Sequence, residues 1–133
     1  MSKQLPKLVL QPIKAGFPNA AEESPSTPLD LNTLLIKHAS STFYMRVDGD
    51  SMQDMGIFTG DLIIVDKSLE TRSGDVVVAF IDGEFTLKQF ITRGNRGILR
   101  PANDAYPDIE VSDQNDFMIW GVVTHTIHQH RKK

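Results

Sequence analysis

Residues 74–91 read "GDVVVAFIDGEFTLKQFI", two apolar runs joined by Asp82-Gly83. An Asp-Gly pair between such runs is a strong two-residue hairpin signal, so the stretch predicts two adjacent antiparallel strands. Working outward, "TFYMRV" (42–47) sets Phe43, Met45 and Val47 against Tyr44 and Arg46, the alternation of a strand. "DLIIVD" (61–66) is a short apolar run bounded by turn residues, and "FMIWGVVTHTI" (117–127) reads as a last strand before the basic tail "RKK". Ahead of these strands, Asp30 is placed to cap one short helix whose Leu31, Leu34 and Leu35 share a face. The chain therefore reads as mainly β, a compact domain with one short helix.

The first 28 residues have a different texture, because five of the seven prolines fall there (Pro6, Pro12, Pro18, Pro25 and Pro28). Such a segment resists helix and sheet continuation and predicts an extended, flexible arm. It carries one apolar island, "LVLQPIKAGF" (8–17). The expected division is an arm over 1–28 and a β-rich domain over 29–133.

The chain has 133 residues, enough for one real core. Its 40% apolar content fits a soluble globular protein. No apolar run approaches the ~20 residues that span a bilayer, and no signal peptide is legible at the start, so a cytoplasmic protein without a membrane partner is expected. The absence of cysteine excludes disulfides, thiol catalysis and cysteine-ligated zinc. A formal charge of -3 argues against nucleic-acid binding through a broad basic surface. His125, His128 and His130 lack interleaved acidic ligands and read as a solvated tail, so neither a metal nor a cofactor is expected. "TRGNRGILR" (92–100) gathers Arg93, Arg96 and Arg100 in an expected surface loop. Trp120, with Phe117, Met118 and Ile119, reads as core or dimer interface.

The chemistry centres on "VDGDSMQDMG" (47–56), where Ser51 follows Gly49-Asp50 as strand gives way to turn. A serine there is commonly a helix cap. It is also where free backbone N–H groups can stabilise an oxyanion, provided a base stands nearby. No spacing singles out His38, His125, His128 or His130 for that role. The other base open to a serine is a buried lysine. Lys88 lies between apolar residues of "EFTLKQFI", with Glu84 and Thr86 on its face by two-residue alternation. A solvent-facing lysine is the ordinary outcome there. To act as a base near neutrality, its pKa would have to fall from about 10.4 to about 7.4, a differential of about 4 kcal/mol that burial can supply.

Taken together, "AGFP", "GDSM", "GDLIIVD" and "GDVVVAFIDGEFTLK" resemble the LexA/UmuD family of Ser-Lys autoproteases, with the UmuD branch the nearer likeness. The resemblance runs from Ala15 to about Val123 and is specific as a set. It implies that Ser51 is the nucleophile, Lys88 the general base and Ala15-Gly16 the scissile bond. UmuD relatives often carry cysteine before that glycine; this chain has alanine, as LexA does, and keeps a small side chain there. The resemblance also implies a homodimer and stimulation by the RecA filament on single-stranded DNA. Cleavage would give the active accessory subunit of a Y-family DNA polymerase in the SOS response. LexA-type repressors carry a DNA-binding domain before the β domain. Fewer than 30 proline-rich residues stand there in this chain, so direct sequence-specific DNA binding is not expected. Two other readings stay open: a trans-acting peptidase of the signal-peptidase type, which needs a membrane anchor, and a non-catalytic β-domain module that binds polymerase or RecA.

Overall fold

The computed structural model describes residues 4–17, 25–111 and 117–132. The chain divides into two compact units, Met1–Lys37 and His38–Lys133.

In the first unit, β1 (Lys7–Val9) pairs antiparallel with β2 (Ser26–Pro28), and helix α1 (Leu31–Leu35) follows. The expectation that the proline-rich segment forms no sheet needs correcting here. Pro6 and Pro25, flanking the two strands, serve only as acceptors: Leu10 N–H donates to the Pro25 carbonyl and Leu29 N–H to the Pro6 carbonyl. The ribbon is only three residues deep and exposed along its length. Asp30 caps α1 as expected, its carboxylate accepting from Asn32 N–H at 3.0 Å. The helix is one turn long; Leu31 and Leu34 remain exposed, and His38 lies beyond its end. Pro18 and residues 20–24 lie outside the described residues.

The second unit is built on one antiparallel sheet. Its strands are β3 (Thr42–Arg46), β4 (Leu62–Asp66), β5 (Val76–Ile81), β6 (Glu84–Arg93), β7 (Arg96–Arg100), β8 (Ile109–Val111) and β9 (Phe117–Ile127), in spatial order β3-β4-β9-β5-β6-β7-β8. With a single short α-helix among the described residues, the protein is mainly β, as expected. Asp82 and Gly83 have φ of 48° and 88°, the paired positive values of a type I′ turn, and they join β5 to β6 in the predicted hairpin. The unbroken apolar run of β5 follows from burial on both sides: Val77, Val78 and Ala79 are all at most 3% exposed.

Two apolar clusters hold the sheet. One gathers Met52, Ile57, Ile63, Val65 and Val78, with Trp120 and Leu87 packed against it. The other gathers Val77, Ala79, Leu99 and Val122, with Phe117 and Ile119. Met118, between these neighbours, is exposed.

The stretch "TRGNRGILR", expected as a loop, is instead the end of β6, a turn and the whole of β7. Gly97 and three arginines masked its strand character, while Ile98 and Leu99 carry it. Arg96 pairs with Glu110 and Arg100 with Asp108, each at 3.4 Å across to β8 and its approach, so these cations are already matched with acids.

Candidate active site

Three local features bring Ser51 to its place. Gly49, at φ 117°, takes a backbone conformation that a side chain would strain, and it turns the chain sharply out of β3. Thr59 then ties that turn down: its hydroxyl accepts from Gly49 N–H at 2.9 Å and donates to the Gly49 carbonyl at 3.0 Å. Finally Met52, 1% exposed, plunges into the first apolar cluster. Burying such a side chain contributes about 1.5–3 kcal/mol, which holds the adjacent Ser51 at the core's edge.

Lys88 reaches the same point from β6, where it pairs with Val77. It is 8% exposed, and its Nζ stands 3.1 Å from Ser51 Oγ, 2.8 Å from Thr86 Oγ1 and 3.1 Å from the Leu87 carbonyl oxygen. No carboxylate forms an ion pair with it among the described residues. Burial without a compensating charge pushes the ammonium below its ordinary value. The amine donates to Ser51 Oγ, Thr86 Oγ1 and the Leu87 carbonyl, and the Ser51 hydroxyl donates to the same carbonyl at 3.5 Å. Loss of one proton from the amine would leave a lone pair free to accept from Ser51 while two N–H groups keep the other partners.

The amide N–H groups of Asp50, Ser51 and Met52 donate to no acceptor among the described residues. The same three residues line a cleft of about 360 Å³, bounded on its apolar side by Met45, Val47, Ile63, Val78, Phe85 and Leu87. Beyond Lys88 toward its start, β6 is paired only with β5, because β7 pairs with residues 89–93. The other edge of residues 84–88 has no strand partner among the described residues.

The remaining candidates lie elsewhere. Glu84, on the strand face expected to hold Lys88, is exposed and is not a partner of the amine. No histidine bonds Ser51 among the described residues. His38 Nδ1 is 2.6 Å from Asp66 Oδ2, His128 Nδ1 2.5 Å from Asp61 Oδ1, and His125 Nδ1 2.9 Å from Thr124 Oγ1. The two aspartates fix the ends of β4 and are buried. Ala15 and Gly16 lie in the first unit, between β1 and β2; both are exposed, and Gly16 has φ of 102°.

Sequence reasoning placed Thr86 on the lysine's face but missed that its hydroxyl holds the amine. It missed Asn103 and Tyr106 altogether. Asn103 Nδ2 donates to the Asp50 carbonyl at 2.9 Å, and Tyr106 Oη donates to Asp50 Oδ1 at 2.6 Å. Both lie some fifty residues along the chain from Asp50, and no local pattern signals so distant a contact.

The profile described as Peptidase S24-like matches residues 7–124. Protein ImpA of Escherichia coli is 40% identical over 119 residues, covering 90% of this chain and 81% of that protein. Protein MucA of Escherichia coli is 41% identical over 122 residues, covering 91% and 83%. The LexA repressor of Shewanella piezotolerans is 39% identical over 103 residues, covering 77% of this chain and 50% of the repressor.

Proposed function

The chain belongs to the Peptidase S24-like family, and on that premise we propose that it is a self-cleaving Ser-Lys endopeptidase of SOS mutagenesis, cut between Ala15 and Gly16. The observation that carries the reading is the 3.1 Å approach of a buried, carboxylate-free Lys88 amine to Ser51 Oγ. A lysine removed from water without a counter-charge is costly to retain as a structural group. It is suited to act as a base.

In the reaction, neutral Lys88 takes the Ser51 hydroxyl proton as Oγ bonds to the Ala15 carbonyl carbon. The carbonyl electron pair moves onto oxygen, where unpaired N–H groups around Ser51 receive it. As the tetrahedral species collapses, the Ala15–Gly16 C–N bond breaks and Lys88 passes its proton to the departing Gly16 amine. Lys88, neutral again, takes a proton from water as that water bonds to the Ala15 carbonyl carbon; the ester C–Oγ bond then breaks, Lys88 returns the proton to Ser51 Oγ, and the Ala15 carboxylate is freed. Pairing of the arm's apolar island along the open edge of β6 is the natural mode of presentation, since an extended segment gains main-chain hydrogen bonds there.

Cleavage removes residues 1–15. The shortened chain is the active form, a homodimeric accessory subunit of a Y-family translesion polymerase. The RecA filament on single-stranded DNA favours the docked arm and supplies no catalytic group. The test is incubation with RecA, single-stranded DNA and a nucleotide that holds the filament. A new N-terminus at Gly16 in the wild type, and none in Ser51→Ala, is expected; a cut elsewhere, or one that persists in Ser51→Ala, overturns the proposal.

A further inference from the structure

The reaction as proposed gives no role to the segment that crosses the Ser51 turn. Residues 102–106 grip that turn at four points. Ala102 N–H donates to the Ser51 carbonyl at 2.7 Å, and Asp54 N–H donates to the Ala102 carbonyl at 2.7 Å. Asn103 Nδ2 donates to the Asp50 carbonyl at 2.9 Å, and Tyr106 Oη to Asp50 Oδ1 at 2.6 Å. Asn103 is itself buried and braced, its Oδ1 accepting from Ala105 N–H at 3.0 Å.

A trans peptide is planar, so its C=O and N–H point in opposite directions. Holding the Asp50 carbonyl therefore aims the Ser51 N–H, and holding the Ser51 carbonyl aims the Met52 N–H. These are two of the N–H groups left without an acceptor among the described residues. The Asp50 side chain threatens this arrangement. Aspartate commonly accepts from amides two or three residues on, here Met52 and Gln53. In that position its carboxylate would occupy an anion-binding donor and set negative charge beside the space an oxyanion needs. The Tyr106 hydroxyl draws it away. The hydrogen bond to Asp50, with that carboxylate's charge, pushes the phenol above its ordinary value, so it stays a donor in mild alkali.

Resting on the self-cleavage reading, we infer that Asn103 and Tyr106 are positioning residues for the oxyanion. Asn103 sets the direction of the Ser51 N–H through the shared peptide plane. Tyr106 keeps the Asp50 carboxylate out of the anion site.

The experiment follows loss of the intact full-length chain at pH 9 for wild type, Tyr106→Phe, Asp50→Ala and the double variant, with Asn103→Asp beside them. Tyr106→Phe should slow cleavage about tenfold, the scale of one hydrogen bond to a charged group. Adding Asp50→Ala should restore most of that loss, because the harm comes from the released carboxylate; a tyrosine that only packs would give no such rescue. Asn103→Asp keeps the brace to Ala105 but faces a carbonyl with a carboxylate, and should also be slowed about tenfold. Wild-type cleavage with Tyr106→Phe equally fast, or with the double variant as slow as Tyr106→Phe, overturns the inference alone. A wild type that stays intact overturns the functional reading and the inference together.

Discussion

Thr86 Oγ1 lies 2.8 Å from Lys88 Nζ, two residues back on the same strand, so β6 carries both the amine and the hydroxyl that orients it. Without that acceptor the amine keeps only the Leu87 carbonyl to aim its lone pair at Ser51. Thr86→Val, which preserves shape, should slow self-cleavage about tenfold, and Thr86→Ser should stay close to wild type. First-order rates from gel densitometry distinguish the two; equal rates for valine and serine would remove Thr86 from the account.

Lys88 should work against stability. Burial depresses its folded pKa below the unfolded value of 10.5, so its contribution is fully present above the unfolded pKa and is lost as pH falls through the folded one. At neutral pH, where the unfolded chain holds the proton, burying this side chain is therefore a net cost. Lys88→Met should abolish cleavage yet melt at a higher temperature than Ser51→Ala at pH 7, with the gap narrowing toward pH 10. A methionine variant that melts lower at pH 7 would contradict the burial argument.

Asp66 behaves in the opposite sense. Burial pushes its pKa up, but hydrogen bonds from Ser68, His38 and Ser41 outweigh that and hold it at about 2, against 3.8 unfolded. The stability it supplies is present above pH 3.8 and is lost as pH falls toward 2, a difference of about 2 kcal/mol. Urea denaturation should show this drop between about pH 4 and pH 2 in wild type. Asp66→Asn should flatten it and lower stability at pH 7.

Gly121 on β9 lies where the next strand packs too close for a side chain. A Cβ added there would stand 2.5 Å from Val65 Cγ1, and Val65 is 0% exposed, with no room to retreat. Gly121→Ala should cost about 1–3 kcal/mol by overpacking. A chemical melt gives the value directly, and an unchanged midpoint would show that the two strands can separate freely.

The sequence revealed what is local. The Asp82-Gly83 hairpin, the apolar runs of β4 and β5 and the whole of β9 follow from turn chemistry and patterning, and the structure has them within a residue or two. β7 and β8 were illegible because their residues face arginine–acid pairs as much as core, which erases alternation. The β1–β2 ribbon was hidden by prolines that happen to need only their carbonyls. At the site, resemblance named Ser51 and Lys88, and the fold sets them in contact. The grip of Asn103 and Tyr106 on the Ser51 turn joins residues more than fifty positions apart, which no window along the chain can see.

The central claim, a buried neutral lysine activating Ser51 against the chain's own arm, is tested most directly by intact mass. Purified full-length protein is held at pH 7 and pH 10 without any partner, beside Ser51→Ala and Lys88→Ala. The account predicts loss of residues 1–15, faster at pH 10 as Lys88 sheds its proton, and no loss in either variant. A chain that stays whole at both pH values, or is cut equally well without Lys88, would contradict it.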